Sequence, residues 1–199
     1  MGGTTVEESR AQGARAQRKA ATRQRLIDAA IEAFTAGSVT TTSVDAVAAA
    51  AGVSKATLFF HFGNRLELIE EVARQVYEAG AAWRTREPGL APFLDRYFAA
   101  QHQPATRMLW ELGDLLSAEG RGGPNVAYLH LTGQLTERLE DERIEPGRAA
   151  SLAGVLAPAV LLVARRIAFD QADAAEVDRF LADLELLLDP HRSARVRRR

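Results

Sequence analysis

The chain contains no cysteine. That excludes disulfide bridges, thiolate metal sites and a cysteine nucleophile, and it fits a reducing compartment. Lysine is nearly missing: only Lys19 and Lys55 occur, and every other basic residue is arginine. With the abundance of alanine this reads as a GC-rich coding bias and carries no function. The four histidines, at 61, 102, 130 and 191, show no close metal-ligand spacing. No nucleophile elbow or phosphate-binding loop is present, so a non-enzymatic protein without metal or organic cofactor is expected. The longest apolar run, Leu152 to Ala164, has thirteen residues and includes Pro158, whereas a bilayer span takes about twenty. Residues 1–20 lack the apolar segment of an export signal. No membrane partner is expected, and the location expected is the cytoplasm. Alternating strand patterns and repeats of 20 to 50 residues are also missing, which leaves an all-α fold.

What is there is unevenly charged. The formal net charge of −1 conceals a basic front, with eight Lys or Arg against three acids from Arg10 to Arg65. From Leu66 to His191 twelve basic residues face twenty-one acids, and five arginines follow from Arg192 to Arg199. A positive front attracts phosphates, while an acidic remainder discourages non-specific coating of a polyanion. The 199 residues suffice for a small head and a larger body with its own core.

The front holds the most specific pattern, SVDAVAAAAGVSKATLFFHFGNRLEL, from Ser43 to Leu68. Val44, Val47, Ala48 and Ala51 share one helical face, and Gly52 permits the left-handed backbone that ends a helix. Ser54 is placed to cap a second short helix, Lys55 to His61, anchored inward by Leu58 and Phe62. Lys55, Thr57, Phe60 and His61 are left facing outward, types suited to phosphates and base edges. Helix, glycine turn and helix make a helix-turn-helix unit. Asn64, with Glu67 three residues on, has the form of a capping box for a third segment. Upstream, a helix over about Arg18 to Ala36 buries Leu26, Ile27, Ala30, Ile31 and Phe34 and stops at Gly37.

Here the chain resembles the tetracycline-repressor (TetR) family of bacterial transcription regulators. The resemblance rests on Ala30, Phe34, Thr42, Ser43, Val44, Val47, Ala48, Ala51, Gly52, Val53, Ser54, Thr57, Leu58, His61, Phe62 and Leu68, ungapped over roughly the first third of the chain beyond the arm. The departures are local: Phe59 for the usual tyrosine, Arg65 for lysine, Ala56 for a frequent glycine and Ser43 for the second threonine. The implied DNA-contacting set is Thr42, Ser43, Ser54, Lys55, Ala56, Thr57, Phe59, Phe60, His61 and Arg65. The implied fold is a three-helix head over residues 20–66 and a helical ligand-binding and dimerisation body over 67–190, about nine helices in all. The implied activity is that of a ligand-responsive repressor binding a palindromic DNA operator as a homodimer, in a bacterial cytoplasm and on the nucleoid when bound.

Within the body, a long helix from near Asn64 is expected to run toward Trp83, ahead of Pro88-Gly89. Further helices are expected at about Ala91 to His102, Pro104 to Ala118 and Asn125 to Arg143, followed by two apolar helices. In the last pair Leu152, Val155, Leu156, Ala159, Val163 and Ile167 form one stripe, and Val177, Phe180, Leu181, Leu184, Leu187 and Leu188 another. Val160, Leu161 and Leu162 lie off the first stripe. A second apolar face follows, and the expected dimer contacts are Val160, Leu161, Phe180, Leu184 and Leu187. Filling of both faces by the chain's own helices is the alternative.

Candidate effector contacts are Trp83, Phe93, Tyr97, His102, Met108, Trp110, Tyr128 and His130, large or polar-tipped side chains in the middle of the body. Core packing is the competing reading for most of them, and Trp110, off the Leu109, Leu112, Leu116 stripe, is the exception. Residues 1–19 read as a disordered basic arm, either a solvated leader or a minor-groove contact. Residues 191–199 read as a basic tail, and the stretch Glu137 to Glu145 as a solvated helix face. A rival class is an all-α small-molecule or metal-binding protein with a vestigial helix-turn-helix, in which His102 and His130 meet Glu111 or Asp114.

Overall fold

The computed structural model describes residues 3–79, 89–121 and 126–192. Among these, nine α-helices and one 3₁₀ turn occur and no strand, in agreement with the all-α expectation. The chain divides into two compact units, Met1–Glu78 and Ala79–Arg199.

The first unit contains α1 (Gly3–Ala36), α2 (Val44–Ala50), α3 (Lys55–Phe62) and most of α4 (Arg65–Ala79). Its core draws Leu26, Ile27, Ala30 and Phe34 from α1, Val47 and Ala48 from α2, Leu58 and Phe62 from α3, and Leu68, Ile69 and Val72 from α4. The helical repeat of these positions, not propensity alone, is what fixes the faces. The boundary falls beyond the expected residue 66, because the first turns of α4 bury their apolar side in the head. Arg23 on α1 reinforces this by donating to Glu71 on α4 at 2.9 Å.

Two expectations change here. The first helix begins at Gly3 and not near Arg18, so a continuous helix of 34 residues replaces the disordered arm. Its leading part is rich in Ala, Arg, Gln and Glu, good helix formers that extend a helix without any apolar face to bury. Ile31, expected in the core, is only half-buried.

The second unit contains α5 (Leu90–Gln101), α6 (Pro104–Ala118), α7 (Val126–Asp141), α8 (Pro146–Ala168) and α9 (Ala174–Leu188), followed by a 3₁₀ turn, Asp189–His191. Leu131, Leu135 and Leu139 repeat every four residues along α7, and Ala149, Ala153 and Ala157 do so along α8; all are buried. Small residues on one helix let the leucines of the other approach closely. Phe93, Leu94 and Phe98 of α5 and Leu184 and Leu188 of α9 complete this core. Helix α8 is long and apolar enough by composition to cross a membrane. Its apolar content goes instead into the core, through Leu156, Val160, Val163, Ala164 and Ile167 among others.

Polar clasps hold the ends of these helices. Glu145 accepts from the amides of Gly147 and Arg148, both at 3.1 Å, and so caps α8. Glu142 accepts from the amide of Leu90 at 3.0 Å, where α5 begins, and from Nε of Arg192 at 2.7 Å. Arg192 also reaches Glu185 at 2.7 Å. This corrects two expectations: the acidic stretch is not merely a solvated face, and the basic tail starts after an anchored Arg192. Arg195, Arg197, Arg198 and Arg199 lie outside the described residues.

Candidate nucleic-acid interface

The geometry of the reading unit follows from its caps. Ser43 Oγ accepts from the amide of Ala46 at 3.1 Å and starts α2. At its end, Gly52 adopts φ 68°, and the amides of Gly52 and Val53 return to the carbonyls of Ala49 and Ala48, each at 3.0 Å. This doubly bonded, left-handed stop turns the chain within a few residues. Ser54 Oγ then accepts from the amide of Thr57 at 3.1 Å and lies 2.9 Å from the Thr57 hydroxyl. Helix α3 therefore starts at Lys55 with its outer face set by Ser54.

Leu58 and Phe62 are buried, as their spacing requires, so α3 is held by one side only. The opposite side presents Lys55, Ala56 and Phe60, all exposed, and Thr57, Phe59 and His61, partly exposed. Phe60 is the extreme case, with 73% of its surface open to solvent. Lys55 pairs with Asp45 of α2 at 2.9 Å, which holds the ammonium at the edge of the face while both groups stay well solvated. Lys19 of α1 reaches over the Phe60 ring, 5.2 Å from its centroid. His61 stands edge-on to Phe60. Burial first, and then the Lys19 and Arg23 charges, push the His61 imidazole below its usual range. That environment favours the neutral imidazole, which has one donor and one acceptor.

Two residues of the expected contact set are committed inward. The Thr42 hydroxyl donates to the Ser38 carbonyl at 2.7 Å, fixing the turn between α1 and α2. Arg65 donates from its guanidinium to the Val39 carbonyl, bracing that same turn. Ser43 and Ser54 are exposed, but their hydroxyls serve first as helix caps. Asn64 caps α4 by accepting from the amide of Glu67 at 3.0 Å. The return contact differs from a full capping box, since the Glu67 carboxylate receives the Asn64 side-chain amide at 3.0 Å. Lys19, expected within the disordered basic arm, lies instead on α1 over the Phe60 ring. Its place beside α3 becomes evident only once α1 is known to run straight through residue 19.

In the body the expected effector contacts separate. Trp83 lies outside the described residues. Phe93 and Met108 are fully buried core, Phe93 stacking on Tyr97 with centroids 5.9 Å apart. Burial pushes the Tyr97 hydroxyl well above its usual range. His102 ends α5 in an exposed position, and His130 is exposed on α7, 2.7 Å from Gln134. Tyr128 donates to the Gly154 carbonyl at 3.3 Å, pinning α7 to α8. Trp110 is half-buried and donates from its indole to Gln101 Oε1 at 3.2 Å, while Gln101 Nε2 donates to the Tyr97 carbonyl at 2.9 Å. The buried Gln101 thus joins Tyr97 and Trp110, a link between residues nine and four apart that no sequence periodicity signals.

Both carboxylates of the metal alternative pair with arginines. Asp114 pairs with Arg165 at 2.6 Å and Glu111 with Arg107 at 3.5 Å. Among the described residues no group of three or more His, Asp or Glu is placed to hold an ion.

The expected dimer contacts need correction. Val160, Leu161 and Leu184 are buried in the chain's own core, and Phe180 packs edge-on against Phe98 at 6.0 Å. Of that set only Leu187 is exposed, at 51%; the other open large apolar positions on α8 and α9 are Val155, Leu162 and Leu186, and Leu129 is open on α7. With a hundred degrees of rotation per residue, Val160 and Leu162 cannot face the same way.

A helix-turn-helix head with a solvent-facing second helix, joined in sequence to a helical body, defines the class of protein. Residues 26–72 match the family model for bacterial regulatory proteins of the tetR family. The regulator SrpR of Pseudomonas putida is 43% identical over 51 residues, which are 26% of this chain and 24% of that protein. The chain thus matches only about a quarter of that regulator's length. Among solved structures, a TetR-family regulator from Pectobacterium atrosepticum superposes with TM-score 0.66, covering 92% of this chain and 98% of that one at 20% identity. GusR of Salmonella enterica superposes with TM-score 0.55 over 84% of this chain and 95% of its own, at 25% identity. Residues 26–72 thus match the tetR family of bacterial regulatory proteins, and the superpositions show that the described chain shares the fold of such structures.

Proposed function

We propose that the protein is a sequence-specific, double-stranded-DNA-binding transcriptional repressor that acts as a homodimer on a palindromic operator and is released by a small-molecule effector. The observation that carries this reading is the outer face of α3. A short helix, anchored by Leu58 and Phe62 alone, holds Lys55, Phe60 and His61 toward solvent with no apolar partner covering Phe60. A phenyl ring this open has the reach to meet a thymine methyl, and the flanking cation and imidazole suit phosphate and base-edge contacts. Such a target places the protein in the compartment that holds the chromosome, the bacterial cytoplasm.

Two heads related by a two-fold axis meet half-sites about one duplex turn apart, roughly 34 to 36 Å. Val155 and Leu162 on α8 and Leu186 and Leu187 on α9 supply the apolar positions for the pairing of two bodies. An effector held in the body releases DNA if it binds one spacing of the heads a few kcal/mol better than the other. Tyr97, Gln101 and Trp110 are the side chains from which such a site would be built.

The test is DNA association of the wild-type protein and of a Lys55→Ala, Thr57→Ala double variant. Loss of specific binding with the helical content unchanged supports the reading. Equal binding by both proteins overturns it.

A further inference from the structure

We propose that the leading part of α1 is a second duplex-contact element, in which Arg15, Arg18 and Lys19 bind the phosphate backbone of double-stranded DNA next to the bases that α3 faces. The inference rests on the operator-binding reading and adds to it a surface outside the helix-turn-helix.

Among the described residues Leu26 is the first buried side chain of α1, so the helix extends well ahead of that part of the head's core. From Gly3 to Leu26 that extension is about 35 Å long at 1.5 Å per residue. Among the described residues from Arg10 to Arg25 none is buried, so this stretch adds no side chain to the head's core. Its composition is one-sided: between Arg10 and Arg25 there are six cations, Arg10, Arg15, Arg18, Lys19, Arg23 and Arg25, and no acid. Like charges four residues apart, as at Arg15, Lys19 and Arg23, weaken a helix slightly, and an anion brought to them relieves the repulsion.

The cations are not equivalent. Arg23 is engaged by Glu71 and lies 4.9 Å from the Phe62 ring centroid, so its side of the helix is the side turned to the head. Arg25 donates to Thr22 at 3.4 Å. Lys19, one turn before Arg23, lies over Phe60 on the exposed face of α3. Arg15 is one further turn back, about 40° around the helix from Lys19 and about 6 Å along it. Arg18 flanks the pair, whereas Arg10 falls about 180° from Lys19, on the opposite side. Among the described residues none forms an ion pair with Arg15, Arg18 or Lys19, and all three are exposed.

The recognition face therefore does not stop at α3. It continues through Phe60 and Lys19 onto a ridge of exposed cations along α1. Duplex DNA is the occupant that matches both the charge and the continuity with the α3 face. Being helical, the element does not thread the minor groove as an extended arm does; it meets phosphates.

The experiment measures affinity for a selected operator duplex between about 50 and 300 mM salt, comparing wild type with R15Q/R18Q/K19Q and with R10Q. Glutamine keeps helix propensity close to that of arginine and lysine. Each lost phosphate contact lowers the slope of log affinity against log salt by about 0.9. The triple variant is expected to lose about two to three units of slope per head, with shortened backbone protection at the operator flanks. R10Q is expected to match wild type. Wild-type slope, affinity and footprint in the triple variant would overturn the inference while leaving operator binding intact. An R10Q loss as large as the triple variant's would overturn it too, since the effect would then be diffuse charge and not a face. Failure of the wild type itself to bind any duplex would refute the operator reading on which the inference stands.

Discussion

The most informative stability perturbation is removal of the Glu71 charge. Glu71 lies on α4 with its side chain only 15% exposed, and its carboxylate accepts from Arg23 of α1 at 2.9 Å and from Arg74 one turn along α4. The Arg23 and Arg74 hydrogen bonds, outweighing burial, hold its pKa at about 2 against an ordinary value of 4.5. At 1.36 kcal/mol per pKa unit this difference corresponds to at most about 3 kcal/mol. Arg23 and Arg74 are 38% and 55% exposed, so solvent screening reduces the expected contribution to about 1 to 2 kcal/mol. The sign follows from the depressed pKa. The contribution is complete above pH 4.5 and is lost as pH falls from there toward 2. The assay is a double-mutant cycle on Glu71→Gln and Arg23→Gln by urea denaturation followed with far-ultraviolet circular dichroism. Both tryptophans lie outside the first unit, so their fluorescence would not report it directly. A coupling energy of about 1 to 2 kcal/mol at pH 7, shrinking at pH 3, is expected. Coupling below about 0.3 kcal/mol at pH 7 would refute the α1–α4 clamp, because the pair would then behave as an ordinary surface ion pair.

Other perturbations test separate parts of the structure. Gly63 has φ 69°, and a Cβ there would come within 2.8 Å of the Glu67 carboxylate; Gly63→Ala should cost about 1 to 2 kcal/mol in thermal unfolding, and an unchanged midpoint would contradict that strain. Ser54→Ala removes the cap of α3 and should cost about 1 kcal/mol, with weakened DNA binding as the second readout through Thr57. Leu162→Glu and Leu186→Glu, on open positions, should give a folded chain that sediments as a monomer, whereas Val160→Glu, in the core, should lower the helical content itself. Dimeric Leu162→Glu/Leu186→Glu protein would place the pairing surface elsewhere.

The legible parts of this chain were those governed by neighbours in sequence. Ser43, Ser54 and Asn64 cap the helices that follow them because a side-chain oxygen two or three residues upstream of an amide is all that a cap needs. Gly52 ends α2 for an equally local reason. The start of α1 was not legible, since an Ala, Arg and Gln stretch is compatible with both a helix and a solvated chain when nothing apolar marks a face. The faces of α8 were only half legible. An almost wholly apolar helix offers two stripes, and only packing against α5 and α7 decides that Leu156 and Val160 go inward and Val155 and Leu162 outward. Contacts such as Trp110 to Gln101, and Arg192 to Glu142 fifty residues away, have no sequence signature at all.

The central claim is that α3 reads DNA as one of a symmetric pair. Its most direct test is selection of the purified full chain against a random duplex library at about 150 mM salt, with the retained pool sequenced and the enriched motif aligned. The account predicts an inverted repeat whose half-sites are centred about one duplex turn apart. A folded, dimeric protein that enriches no motif, or only a single unpaired half-site, would contradict it.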